Sequence, residues 1–303
     1  MRSGVRGSSG KMPRMPRNML RHVSSVLFLV LLSGCAINEQ KEIEIGQKTH
    51  RQFEKEFGGR YPDAQLQTYV SGVGMNVARY AGRPNLPWQF AVLNSKQVNA
   101  FAVPGGYIYI TQGLLFRLES EAMLAGVLSH EAAHIAHRHS VQQMQRAQTA
   151  QGLAMTAGVV GSLFGYGWAG DVTGAVASIS LMKYGRDQEK QSDLSGLRYM
   201  TQAAYDPRGM VQTMSVLQQA SGGKGGPEFL SSHPNPGNRL EYLRETIEKK
   251  YAGAAQGGKV GAEDFQRNVL ARRVAAMEPA PVDAVVWCAH CHEDVRATIA
   301  LKK

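Results

Sequence analysis

The chain has 303 residues, 43% hydrophobic and 19% charged, a balance that excludes a disordered or collagen-like protein and allows one core or two. Three cysteines are too few for a disulfide scaffold. The formal net charge is +10, but six basic residues and no acidic one fall within residues 1–34, and the remainder carries only +4; charge concentrated at one end does not point to nucleic acid.

That end reads as an address. Arg14, Arg17 and Arg21 precede an apolar stretch at 23–32 that is too short for a permanent membrane span. It ends in Leu32-Ser33-Gly34-Cys35, which resembles a bacterial lipobox. Residues 1–34 are therefore expected to be a lipoprotein signal peptide and Cys35 the lipidated first residue. An ordinary signal peptide before an unmodified cysteine is the alternative. Ala36, rather than Asp, favours the outer membrane in the sorting logic of such lipoproteins.

Residues 39–57 are polar with a helical pattern, and Leu66, Val70, Val73 and Val77 mark an amphipathic helix over 66–80. Residues 88–93 alternate as a strand. Residues 99–103 and 107–111 flank Pro104-Gly105-Gly106 and read as a hairpin. A long helix is expected over 119–148, with Ser120 as its cap. The stretch 149–170 has no charge, so 149–183 is read as buried or surface-covering helices, with membrane contact as the alternative. Glycines at 152, 158, 161, 165, 167 and 170 argue against one stable helix there. Helices follow at 186–204 and 236–251. Gly- and Ala-rich 252–261 looks like a linker, so the expected division is a domain at 35–251 and a linker with a small tail at 252–303.

The chemistry sits in His130-Glu131-Ala132-Ala133-His134. Histidines four apart share a helix face and can present two imidazoles to one ion, for which zinc is well suited. Glu131 flanks that ion without ligating it and can take a proton from an activated water. A third ligand is expected from Glu189, with Asp193 one turn on, placed to orient a ligand histidine by accepting its N–H.

Several segments together resemble one family. Asn99-Ala100-Phe101-Ala102-Val103-Pro104-Gly105-Gly106, Gly113-Leu114-Leu115 and Leu124 to Glu131 are similar to the zinc metallopeptidases that include HtpX, BepA and the CAAX prenyl protease. Gly185-Arg186 through Glu189, Asp193 and Gly196 resembles that family's second motif, and Ser232-His233-Pro234 with Arg239 its third. The likeness is greatest to periplasmic lipoprotein members. It implies a mainly helical α+β domain of gluzincin type with a small sheet beside the motif helix. It also implies one zinc per chain on His130, His134 and Glu189, Glu131 as general base, and Asp193 as a supporting residue or proton donor. His233 is then expected either to take the open zinc position or to steady an oxyanion with Arg239 nearby; a turn-capping surface histidine is the plain alternative.

The expected function is a zinc endopeptidase of the periplasm, anchored by lipid, acting on misfolded or misassembled envelope proteins. Extended substrates would pair with the strand edge at Asn99, Ala100 and Phe101. A client-binding chaperone is the second reading. A third, a redox protein carrying haem c, rests on the tail: Cys288-Ala289-His290-Cys291-His292 has haem-attachment spacing, with His292 as axial ligand. A disulfide between Cys288 and Cys291 or a second zinc site would use the same residues.

Overall fold

A computed structural model describes residues 37–156, 182–220, 228–233 and 238–273. Cys35, most of the uncharged stretch after 156, and the tail with Cys288, Cys291 and His292 lie outside the described residues. Helix α1 (Glu39–Glu56) starts where the Asn38 side chain accepts from the Lys41 N–H, and it buries Ile45, Thr49 and Phe53 on one face. Helix α2 (Ala64–Ala78) is capped by Asp63, which accepts from Gln65 and Leu66, and buries Leu66, Val70, Val73 and Val77.

Three strands follow: β1 (Gln89–Leu93), β2 (Ala100–Val103) and β3 (Tyr107–Thr111). Their order is β1-β3-β2; β1 runs parallel to β3, and β2 pairs antiparallel with it. The β2–β3 turn needs glycine: Gly105 and Gly106 have φ of 84° and 98°. Both sheet faces are buried. Phe90, Val92, Ala100, Ala102, Ile108 and Ile110 join the main core, while Phe101, Val103, Tyr107 and Tyr109 pack with Ile45 and Phe53 of α1.

A short turn of helix, α3 (Gln112–Leu115), leads to α4 (Glu121–Ala136), which is buried from Glu121 through Ile135. Ser120 caps α4 by accepting from Met123, as expected. Helix α4 is the axle of the molecule, packed against α2, α6 (Arg186–Gln202), α7 (Arg208–Ala220) and the sheet. Two close approaches require glycine. A Cβ at Gly126 would lie 2.9 Å from the Met210 Cα, and one at Gly196 would lie 3.1 Å from the His130 nitrogen. Each fully buried leucine at this centre, such as Leu124 or Leu197, contributes about 1.5–3 kcal/mol.

The structure corrects two expectations. The helix expected over 119–148 is broken: Arg138 is left-handed, with φ of 57°, and α5 (His139–Thr156) sets off separately. The Arg138 guanidinium holds the turn, donating from Nε to Glu42 at 3.0 Å and also to the Ile37 carbonyl. Nor is 252–261 a loose linker. After α8 (Glu228–Ser232) and α9 (Arg239–Lys250), the chain forms α10 (Ala252–Gly257), and Lys259 exchanges backbone hydrogen bonds with Ala204 and Asp206. Helix α11 (Ala262–Phe265) and the π-turn Gln266–Leu270 then put Phe265 and Val269 into the main core. Packing therefore continues past residue 251. Among the described residues no helix is long and apolar enough to cross a membrane.

Candidate active site

The i, i+4 spacing on α4 turns both motif histidines the same way, and their Nε2 atoms lie 3.1 Å apart. Helix α6 brings Glu189 against them, with Oε2 at 3.7 Å from His130 Nε2 and Oε1 at 3.4 Å from His134 Nε2. The approach depends on Gly196 one face along and on an N-terminal turn in which Gln188 accepts from the Gly185 N–H. His233, directly after α8, stacks on Phe229 with centroids 4.3 Å apart. Its Nδ1 lies 2.9 Å from Glu189 and 3.3 Å from His130 Nε2. Candidate ligand atoms of His130, His134, Glu189 and His233 all lie within 4.8 Å of one another, and all four residues are buried.

A second layer holds these groups. Asp193 Oδ1 is 3.0 Å from His130 Nδ1. Arg239, 1% exposed, donates from Nε and Nη2 to Asp193 at 2.8 and 2.7 Å, and its Nη1 is 2.7 Å from Glu189 Oε2. The Tyr242 hydroxyl also donates to Asp193. Burial alone would raise the Asp193 carboxyl, but the Arg239 charge and His130 outweigh it and bring it down to about 2. Burial likewise works against ionised Glu189; His233, with its Nδ1 2.9 Å away, is the largest influence that overcomes it and holds the carboxyl well below its ordinary range.

Glu131 is different. It is fully buried, neither carboxylate oxygen has a hydrogen-bond partner, and His233 Nε2 lies 3.7 Å from Oε1. Burial raises its pKa against the lowering influence of His233 and His130. His134 is driven the other way: burial holds its pKa well below 6.5, so the ring is neutral. The Tyr184 ring covers it with centroids 3.9 Å apart, and His139 Nδ1 lies 3.0 Å from His134 Nδ1.

The donor set fits a divalent metal. With Asp193 facing Nδ1 of His130, the proton belongs on that nitrogen and the Nε2 lone pair points inward. Two imidazole lone pairs facing each other at 3.1 Å are mutually repulsive unless something positive lies between them. A Glu189 oxygen converges on the same point, giving the nitrogen and oxygen ligands that zinc accepts.

The structure thus brings together His130, Glu131, His134, Glu189, Asp193, His233 and Arg239. His233 is 2% exposed, which removes the surface-cap alternative. Ala100 and Phe101 lie on β2, an edge strand as expected, but the edge is not open. Ala100 to Ala102 form one wall of a narrow cleft whose other residues are Met182, Tyr184, Ser232 and His233. Asn99 sits just before the strand, with its side-chain oxygen accepting from the Ala100 N–H. His139, Tyr184 and Tyr242 were not anticipated. His139 follows the motif in His137-Arg138-His139, and Tyr242 lies one turn after Arg239; both signals were present but unspecific.

Comparison with known proteins agrees with this geometry. The model of peptidase family M48 matches residues 64–247. The beta-barrel assembly-enhancing protease of Escherichia coli K12 is 27% identical over 245 residues, covering 77% of this chain and 48% of that protein. The mitochondrial metalloendopeptidase OMA1 of Schizosaccharomyces pombe is 29% identical over 214 residues, covering 68% of this chain and 61% of its own. A putative beta-barrel assembly-enhancing protease of Vibrio cholerae is 27% identical over 246 residues, 78% of this chain and 50% of the relative. The chain thus spans about half the length of these barrel-assembly relatives. Across a match that takes in more than half of its residues, the chain belongs to peptidase family M48.

Proposed function

We propose that this protein is a zinc-dependent endopeptidase of the bacterial cell envelope. The observation that carries the reading is the pairing of a convergent His130, His134 and Glu189 cluster with a buried, unpartnered Glu131 beside it. Zinc, when bound, supplies Lewis acidity that polarises a scissile carbonyl and makes water a competent nucleophile near neutral pH. Glu131 has two free oxygens and a raised pKa, as a general base needs: it accepts the proton of the attacking water and passes it to the leaving amine. Asp193 and Arg239 fix the ring of His130 and the carboxylate of Glu189. His233 occupies the remaining side of the cluster, where it either excludes water at rest or steadies the oxyanion.

An extended peptide would pair with the β2 edge only once the narrow cleft between that edge and His233 widens, and such main-chain pairing would make recognition tolerant of sequence. The substrates we propose are unfolded or misassembled envelope proteins. This rests on the lipobox-like Cys35 and on the likeness to the beta-barrel assembly-enhancing proteases. Lipid attachment at Cys35 would place the enzyme in the periplasm on the outer membrane. The test is zinc content together with casein cleavage. Glu131→Gln is expected to keep zinc and lose roughly 10²–10⁴-fold in rate; His134→Ala is expected to lose both. A Glu131→Gln protein with normal activity would sink the mechanism.

A further inference from the structure

The two motif histidines are backed by different chemistry. His130 Nδ1 faces the Asp193 carboxylate, the usual outer partner of a ligand imidazole. Among the described residues no carboxylate or backbone carbonyl takes that place behind His134; its Nδ1 faces another imidazole nitrogen, Nδ1 of His139, at 3.0 Å. His139 is itself 1% exposed.

A neutral imidazole carries one N–H, so two facing nitrogens can bond only if one holds a proton and the other a lone pair. The far side of His139 decides which. Its Nε2 lies 3.0 Å from Oε1 of Gln191, an atom that only accepts. His139 therefore carries its proton on Nε2 and offers a lone pair at Nδ1. Ser192 Oγ, 3.4 Å from that Nδ1, has a hydroxyl that can add a second donor to it. His134 must then donate from Nδ1, which leaves the Nε2 lone pair directed at Glu189 and His130.

The backbone is bent to make this contact. A left-handed arginine costs about 1 kcal/mol or more, and such strain persists only where surrounding structure imposes it. Arg138 adopts it, held by Glu42 and the Ile37 carbonyl, and the resulting turn starts α5 with His139 beside His134. A helix continuing straight through 137–139 would carry His139 onto a different face.

The geometry points to His139 as a positioning residue that sets the tautomer and aim of His134 through a charge-neutral histidine–histidine bond. The inference rests on the reading of His134 as a metal ligand. It implies that only one of the two ligand imidazoles is made more basic by a carboxylate.

Two measurements test it. In the wild-type protein, ¹⁵N shifts of the imidazole rings should place hydrogen on Nδ1 of His134 and Nε2 of His139; the reverse assignment overturns the proposal whatever happens to any variant. Zinc affinity, read by competition with a chromophoric chelator, should fall about 10–100-fold in His139→Leu. It should largely recover in His139→Gln, whose amide oxygen restores an acceptor. Gln191 is exposed, so water can replace its amide, and Gln191→Ala should change affinity by no more than about threefold. Wild-type affinity in a His139→Leu protein that unfolds at the normal temperature would overturn the inference while leaving the metal site standing. Wild-type affinity in His134→Ala would remove the metal-site reading and this inference together.

Discussion

Helix α4 carries two buried glutamates that the fold treats in opposite ways. Glu121, in the first turn, accepts from the Tyr69 hydroxyl at 2.7 Å, from the Tyr205 hydroxyl at 2.8 Å and from Lys259 at 2.8 Å. It also sits at the positive end of the helix dipole. Glu131, farther along the same helix, is as deeply buried and accepts from nothing. A carboxylate that serves structure is surrounded by donors, because a buried charge without them costs several kcal/mol. A carboxylate kept bare among imidazoles fits the proposed general base, whose partner is the proton of the attacking water. The contrast separates two polar clusters of similar burial, one closed on itself at the N-terminus of α4 and one left open near its C-terminus.

The sharpest way to break that contrast is to remove the cation beneath the open cluster. Arg239→Met leaves Asp193 and Glu189 buried without their guanidinium. Denaturant unfolding of the zinc-free protein should record a loss of about 3–5 kcal/mol. A loss under about 1 kcal/mol would mean that this pairing is not structural.

Removing the carboxylate of the closed cluster should act on stability alone. Glu121→Ala strands two tyrosine hydroxyls and is expected to cost about 2 kcal/mol in the same unfolding measurement. Zinc affinity and cleavage per folded molecule should stay at the wild-type level. A selective fall in cleavage would show that the two ends of α4 are coupled.

The smallest effect is a pH limb. A base works deprotonated, so activity is lost as pH falls through its pKa, and burial has moved Glu131 above its ordinary 4.5. The acidic limb of kcat/KM should therefore lie above pH 4.5, with a loss of about tenfold per pH unit below it. A limb at or below the ordinary carboxylate value would assign it to another group.

The parts of this protein legible in the linear chain are those governed by short-range geometry. His130, Glu131 and His134 could be placed on one helix face because 3.6-residue periodicity needs no tertiary knowledge. The Ser120 cap, the glycine turn of the β2–β3 hairpin and the amphipathic α2 follow from equally local chemistry. Glu189 and Asp193 were readable as a pair, four residues apart on one helix.

Tertiary structure decided what depends on distant partners. Arg138 is a good helix former, so nothing local announces the break that Glu42 and Ile37, about a hundred residues upstream, hold in place. Gly- and Ala-rich 252–261 reads as flexible by composition. It is ordered because Lys259 bonds to Ala204 and Asp206 and because Phe265 and Val269 beyond it reach the core. The strand edge was recognisable, but its enclosure by Tyr184 and His233 was not, since those residues arrive from other segments of the chain. The same holds for His139: its ring chemistry is ordinary, and only the left-handed turn before it brings that ring to His134. Helical phase is a property of neighbours along the chain, whereas burial, ring orientation and the pairing of charges belong to whichever segments the core draws together.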